Sequence, residues 1–362
     1  MRTLLINMTR FGDLVQSQAA LAGLAREGAV AVACLDNFAA AAGLLDGAEA
    51  VLPLPGAGLL ADVQDSRPGR GWRAALARLE GWRGTVRAFA PDRVVNLTPS
   101  IPVRLLTRLL AGLPPDVPPD GPSDGPSDGQ DGAGPTPEVR GFVVDEYGFN
   151  ADVGGWAAFL HTASNHRGAS PFNVVDLFSR VAGLDGPGRF VLRRPGEAAQ
   201  EAAARLVPEV AGVAPGARGW LAVQLGASED RRRWPVSHFA RAAERLFERR
   251  GLAPMLLGSA AETPLADRFR ERCAVPALDL TGRTGLDELG AVLTRAELLL
   301  TNDTGTMHLA AGLGVPVAAV FLATAQPFDT GPYLAGALSF EPDLDCHPCP
   351  FGAPCPHGHA CR

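Results

Sequence analysis

The chain opens on a short apolar run, Thr3–Met8, then Arg10-Phe11-Gly12-Asp13, then apolar residues at Leu14, Val15, Leu21 and Leu24. A run of that length reads as a strand, the glycine-containing segment as a turn, and the spacing beyond it as a helix. Further short apolar runs, Val30–Leu35, Ala50–Leu54 and Arg93–Leu97, are separated by helix-compatible stretches. Within 141–184, Trp156, Phe159, Phe172, Val175 and Phe178 fall at roughly helical spacings, which predicts core with helix in its second half. Residues 187–219 read as a crossing between domains that includes a helix over Glu197–Leu206. From Trp220 the alternation is regular. Strands at Leu221–Leu225, Pro254–Leu257, Ala277–Leu280, Glu297–Thr301 and Val315–Leu322 alternate with helices at Ser237–Arg250, Pro264–Cys273, Leu286–Arg295 and Thr306–Leu313. Ser237 and Thr263 are the expected helix caps. Such alternation implies right-handed crossovers and parallel sheets, with a ligand cleft at the carboxyl ends of the strands of two adjoining units.

At 362 residues the chain exceeds one ordinary core and suits two domains, expected at 1–186 and 187–340, followed by a Cys/His-rich tail at 341–362. The stretch 113–137, with its Gly-Pro-Ser-Asp repeat, is too polar and too rich in Pro and Gly to pack and is expected to be a disordered surface insertion. Apolar residues at 46% and charged ones at 20% are the composition of a folded chain. No apolar stretch approaches the ~18–20 residues of a membrane span. The first residues lack the apolar segment of an export signal, so a cytoplasmic protein is expected. The net charge of −6 leaves no chain-wide positive field for nucleic acid. There is no lysine, and all 33 basic residues are arginine, so any phosphate-binding cation must be a planar fork rather than a point charge.

Three segments carry candidate chemistry, each at an expected strand-to-helix turn. Asn302-Asp303-Thr304-Gly305-Thr306-Met307-His308 combines a helix start, whose free N–H groups suit an anion, with two hydroxyls, a carboxylate and an imidazole. Gly226 and Ser228 precede three consecutive arginines, Arg231–Arg233, which suit a diphosphate bound in bidentate fashion. Gly12-Asp13 sets a carboxylate at the first turn, where it serves either as a helix cap or as a proton acceptor. Arg104 and Arg108 are weaker candidates for meeting anionic sugars or phosphates, and exposed helix arginines are the equal alternative.

Together these motifs resemble glycosyltransferase family 9, the bacterial heptosyltransferases. Residues 1–25 resemble the family's opening strand, Gly-Asp turn and helix, and 226–239 its Gly-Ala-Ser…Arg-Trp-Pro…Phe segment. Thr281-Gly282-Arg283-Thr284 with Leu286 and Leu289 is similar to its Thr-Gly-x-Thr helix entry. Asp303-Thr304-Gly305 with Met307-His308-Leu309-Ala310-Ala311 and Gly314-Val315-Pro316 matches its most specific signature, and Pro171-Phe172-Asn173 with Asp176 is similar to a patch of some members. The resemblance implies an α/β GT-B fold: two Rossmann-like domains with parallel sheets facing across a cleft, acceptor on the first and nucleotide-sugar on the second. It implies Asp13 as base, Arg232 as the cation at the leaving diphosphate where the family often has lysine, and Asp303 orienting the donor sugar. Gly226, Ser228, Thr284, Thr304, Gly305, Thr306 and His308 would bind the donor, and Gly12, Asn96 and Arg104 the acceptor.

The implied activity is inverting, metal-independent transfer of a heptose from ADP-heptose to a lipopolysaccharide core acceptor. That acceptor is lipid-anchored, so peripheral contact with the inner membrane is implied too. Two alternatives stay open: the same fold using another nucleotide sugar for a different surface glycan, and a non-catalytic nucleotide-sugar-binding or metal-binding scaffold. No cofactor is required for catalysis in this reading. In the tail, Cys346, Cys349, Cys355 and Cys361 have the inventory of a structural zinc site, with an unliganded tail as the alternative. Cys34 and Cys273 sit in apolar or helical contexts and read as core.

Overall fold

A computed structural model describes residues 1–65, 67, 71–112, 136–165, 170–350 and 354–362. The Pro/Gly-rich insertion therefore lies outside the described residues, except for its last two positions. The described residues divide into two units. The first holds those of 1–165 and 175–190, the second 170–174 and 191–362, so the tail belongs to the second unit.

In the first unit the chain runs β1 Arg2–Ile6, α1 Phe11–Gln16, α2 Gln18–Leu24, β2 Ala29–Leu35, α3 Ala39–Ala42, β3 Ala50–Leu54, α4 Gly56–Gln64, α5 Trp72–Phe89, β4 Arg93–Asn96 and α6 Ile101–Ala111. It continues through β5 Glu138–Val144, β6 Asn150–Val153, α7 Gly155–Asn165 and α8 Val174–Val181. The sheet order is β3-β2-β1-β4-β5-β6. β1 and β2 are apolar without alternation because helices bury both faces of a parallel sheet. On one face Trp82, Val86 and Phe89 of α5 and Val103 and Leu106 of α6 pack on Leu4, Ile6, Ala31 and Val94. The first helix is interrupted at Ser17, whose hydroxyl donates to the Leu14 carbonyl at 2.6 Å.

The expectation of a wholly parallel sheet fails at one edge, where β6 runs antiparallel to β5. The hairpin is built by Asp145, whose side chain accepts from the N–H groups of Tyr147 at 3.0 Å and Phe149 at 2.8 Å, with Gly148 at φ +87° in the turn.

The second unit runs α9 Glu197–Leu206, α10 Val210–Val213, β7 Gly219–Gln224, α11 Val236–Arg250, β8 Leu252–Leu257, α12 Thr263–Arg270, β9 Leu278–Asp279, α13 Leu286–Leu293, β10 Ala296–Asn302, α14 Gly305–Gly312, β11 Val317–Val320, α15 Pro327–Thr330 and β12 Leu338–Phe340. Its sheet order is β12-β11-β10-β7-β8-β9, every pair parallel. Phe239, Ala240 and Ala243 of α11 and Leu265, Ala266 and Phe269 of α12 cover one face. The expected caps are displaced towards the N-terminus, by two residues at α11, which starts at Val236 after Pro235, and by one at α12, which starts at Thr263 after Glu262. With all strands parallel, the loops after β7, β8, β9, β10 and β11 share one edge of this sheet.

Candidate functional site

That edge is organised by Asn302, the last residue of β10. Its buried amide donates to the carbonyls of Leu225 (2.9 Å) and Gly226 (3.1 Å) and accepts from the Trp234 N–H (2.9 Å). One side chain thus fixes both ends of the arginine-bearing loop. The sequence reading gave Asn302 no role, although an amide at a buried strand end next to Asp303 was the available signal.

Within the loop so fixed, Arg232 turns its Nη2 onto the Asp303 carboxylate and donates from Nη1 to Ser228 Oγ at 3.0 Å. Both charged side chains are about nine-tenths buried. Asp303 follows β10, and Thr304 in extended conformation starts α14, so the first N–H groups of that helix point out of its end. Thr304 Oγ1 lies 3.2 Å from Thr301 Oγ1. His308 is buried one turn in, and its burial lowers its pKa to about 4, outweighing the opposing pull of the Asp303 charge. At neutral pH it is an uncharged imidazole. The expected donor set Gly226, Ser228, Arg232, Asp303, Thr304, Gly305, Thr306 and His308 therefore comes from adjoining strand ends of one sheet. Thr284 lies two residues before α13, on the loop after β9.

Glu262 was not anticipated. Its Oε2 accepts from the Ser259 N–H at 2.6 Å and its Oε1 from Gln224 Nε2 at 3.2 Å, which stands the carboxylate over Gly226. A Cβ at position 226 would come within 1.2 Å of Glu262 Oε1, so glycine there makes room for that carboxylate.

Most of the buried polar atoms without a hydrogen-bond partner lie on the same side, Gln16 Nε2 of the first unit being an exception. Among the described residues they include Arg232 Nε, Arg233 Nε, His238 Nδ1, Thr281 Oγ1, His308 Nδ1, Gln326 Oε1 and His347 Nε2, all at the carboxyl side of the second sheet. Each such group costs about 1–3 kcal/mol. Their concentration at one edge is the mark of a site that a polar ligand completes.

In the first unit Asp13 is the third residue of α1, half-buried, with Oδ2 accepting the Arg10 N–H at 3.3 Å and Gly12 beside it. The other two acceptor candidates are redirected. Asn96 is fully buried, donating to the Phe142 carbonyl at 2.7 Å and accepting from the Thr98 N–H at 2.7 Å. Arg104 has no exposed surface. Its guanidinium pairs with Asp152, donates to the carbonyls of Pro99 (2.7 Å) and Val143 (3.1 Å), and lies 4.8 Å from the Phe142 ring centroid. Both groups brace the sheet instead of offering themselves to a ligand. Arg108 likewise donates to the Val144 carbonyl, at 3.2 Å.

The tail cysteines are free thiols. Cys349 is tied by its N–H to the Ala323 carbonyl at 2.8 Å, and its thiol pKa is raised by burial and by Cys346, Cys361 and Cys355 around it, with Arg231 opposing. Among the described residues no three His, Cys, Asp or Glu side chains are grouped as a metal site in this arrangement.

Residues 173–359, more than half of the chain, match glycosyltransferase family 9 (heptosyltransferase). The chain belongs to glycosyltransferase family 9. Among curated relatives, it is 33% identical over 103 residues to the lipooligosaccharide heptosyltransferase 2 of Haemophilus influenzae, covering 27% of this chain and 29% of that protein. It is 37% identical over 120 residues to the lipopolysaccharide heptosyltransferase 1 of Pseudomonas aeruginosa, covering 32% of each. The matched stretches thus span about a third or less of those relatives. In fold, this family 9 chain resembles a glycosyltransferase family 9 structure from Veillonella parvula (TM-score 0.69, 17% identity, 94% of this chain and 86% of that one). It also resembles the Escherichia coli heptosyltransferase WaaC solved with ADP (TM-score 0.63, 16% identity, 94% and 92%). The fold is accordingly GT-B, with two Rossmann-like units.

Proposed function

We propose that this family 9 chain is an inverting glycosyltransferase that passes a heptose from ADP-heptose to a lipopolysaccharide core acceptor. The observation that carries the reading is the polar edge of the second sheet, where Arg232, Asp303, the start of α14 and a set of unpartnered buried polar atoms adjoin. In this reading Asp303 orients the donor sugar and positions Arg232. The Arg232 guanidinium, the first N–H groups of α14 and the Thr304 and Thr306 hydroxyls take up the charge that develops on the departing diphosphate. Neutral His308 lines the site without adding charge. Asp13 accepts the proton of the acceptor hydroxyl as its oxygen bonds to the anomeric carbon. The bond from that carbon to the diphosphate oxygen breaks, ADP leaves with the electron pair, and direct displacement inverts the configuration. Arginine and helix terminus carry the neutralisation, so the step needs no metal ion.

The relatives' names, lipooligosaccharide and lipopolysaccharide heptosyltransferase, support the choice of sugar and acceptor. The Escherichia coli heptosyltransferase WaaC solved with ADP supports the nucleotide. Among the described residues no helix is long and apolar enough to cross a membrane, and the reading has the protein meet its lipid-linked acceptor peripherally, at the cytoplasmic face of the inner membrane. The test is transfer from ADP-heptose to a heptose-free inner-core acceptor by wild type and Asp13→Ala. Loss of a general base predicts a fall of roughly 10²–10⁴-fold in turnover, with ADP affinity unchanged. Full turnover in the variant would remove Asp13 from the step, and absence of turnover in wild type would count against the reaction.

The tail enters as a structural zinc site of Cys346, Cys349, Cys355 and Cys361, supported by the four-cysteine inventory with Cys346 and Cys349 in Cys-x-x-Cys spacing. Loading would draw the thiols together from their present arrangement. Metal analysis of the purified protein is expected to find one zinc per chain and a melting temperature lowered by chelation. No zinc, and no change on chelation, would sink this part.

A further inference from the structure

The loop that carries Arg232 has a second wall. Arg233 and Trp234, next along it, line a cavity of about 250 Å³ within the second unit. Its lining includes the apolar Leu225, Trp234 and Leu265 and four guanidinium groups, Arg233, Arg268, Arg272 and Arg362, against one carboxylate, Asp230.

That carboxylate is divided between two of the four, at 3.2 Å from Arg233 and 3.4 Å from Arg362. On α12 and just beyond it, Arg268 donates to the Pro264 carbonyl at 3.1 Å and Arg272 to the Arg268 carbonyl at 3.2 Å, which holds both heads in place. Arg233 Nε is buried without a hydrogen-bond partner. The 15-residue helix α11 starts at the same cavity with Val236 and Ser237, and no side chain caps it. Asp230 already serves Arg233 and Arg362, and Glu271 lies 3.7 Å from Arg272, so four guanidinium groups against two carboxylates leave a net positive lining beside an uncapped helix start, which suits an anion. The volume lies below the range of drug-sized ligands, so the occupant is compact.

We propose that this cavity is a second phosphate site, separate from the donor edge, which takes a compact phosphate or diphosphate group. Arg268 grips it from α12, Arg272 from the turn just beyond that helix, and Arg233 and the start of α11 from the loop side. Because Trp234 is bonded to Asn302 and Arg232 to Asp303, an occupant here also steadies the loop that faces the donor edge. The phosphate is carried either by a free small molecule or by a lipid headgroup.

Calorimetric titration of the full chain with inorganic pyrophosphate at low salt tests the first source, on wild type with and without saturating ADP, on Arg268→Gln/Arg272→Gln and on Asp303→Ala. Sedimentation with phosphatidylglycerol against phosphatidylcholine vesicles tests the second. Both arginines are exposed and glutamine keeps helix propensity, and circular dichroism checks that the double variant folds. The expected result is binding that persists with ADP present and in Asp303→Ala and weakens at least tenfold in the double variant. If only the vesicles bind, and the double variant releases them, the phosphate is a headgroup. Binding that survives in the double variant but is lost in Asp303→Ala would overturn the proposal, because the anion would then occupy the donor edge. No binding of pyrophosphate or vesicles would overturn it as well. Failure of the ADP-heptose reading alone would appear as no binding of ADP with pyrophosphate binding intact.

Discussion

His308 sits in the first turns of α14 with its ring enclosed, and enclosure sets its charge: the folded-state pKa is about 4 against an ordinary value of 6.5. Between those two values the unfolded chain binds a proton that the folded chain does not, so this residue lowers stability as pH falls from about 6.5 towards 4 and has no further effect below. The full difference is of order 3 kcal/mol. Urea midpoints from pH 7.5 to 3.5 are expected to fall less steeply in His308→Asn than in wild type. Parallel curves would show that the imidazole titrates normally. The same scale explains which site residues could be read in advance. Asp303, Arg232 and Ser228 lie in short motifs whose strand-to-helix context alone points them at one edge. Glu262 and Asn302 act through contacts with distant segments, Gly226 and Trp234 among them, which spacing along the chain does not encode.

Helix α6 shows why pattern and role part company. Its sequence displays Arg104 on what reads as a solvated helix, yet the residue lies under the β5–β6 hairpin, where Asp152 on β6 pairs with it and His161 of α7 lies 3.0 Å from the other carboxylate oxygen. The hairpin itself was not expected, so no partner for the arginine was visible. Its signal was present in the Asp145…Gly148 turn between two short runs. Elements bounded by strong local signals were legible: α9 over Glu197–Leu206 and β3 over Ala50–Leu54 fall on their expected limits. β12, three exposed residues long, has no apolar pattern to find and is defined only by its pairing with β11. Removing a buried ion's partner costs about 3–5 kcal/mol. Arg104→Ala is therefore expected to destabilise the first unit by that order, read by urea denaturation, while leaving ADP binding by the second unit unchanged. A stability loss under about 1 kcal/mol would mean that Asp152 finds other partners.

For the whole molecule, two open sheets of six strands in the described residues were largely implied by strand–helix alternation, and the family by motifs, of which those after residue 173 lie within the matched stretch. The polar edge of the second sheet was legible as two separate motifs, and the fold supplies what joins them: β10 lies beside β7, so the loops after both strands share one carboxyl edge. The central claim is that this edge takes the diphosphate of an ADP-sugar, and ligand that binds only the folded state must raise the melting temperature by mass action, about 2.7 kcal/mol at a hundred times Kd. Melting of wild type and Asp303→Ala with ADP, UDP, GDP and CMP, and with their sugar conjugates, measures it most directly. The account predicts a shift of several degrees with ADP and ADP-heptose in wild type, little with the other nucleotides, and a much smaller shift in Asp303→Ala. Equal melting with and without every nucleotide, or an ADP shift untouched by Asp303→Ala, would contradict it.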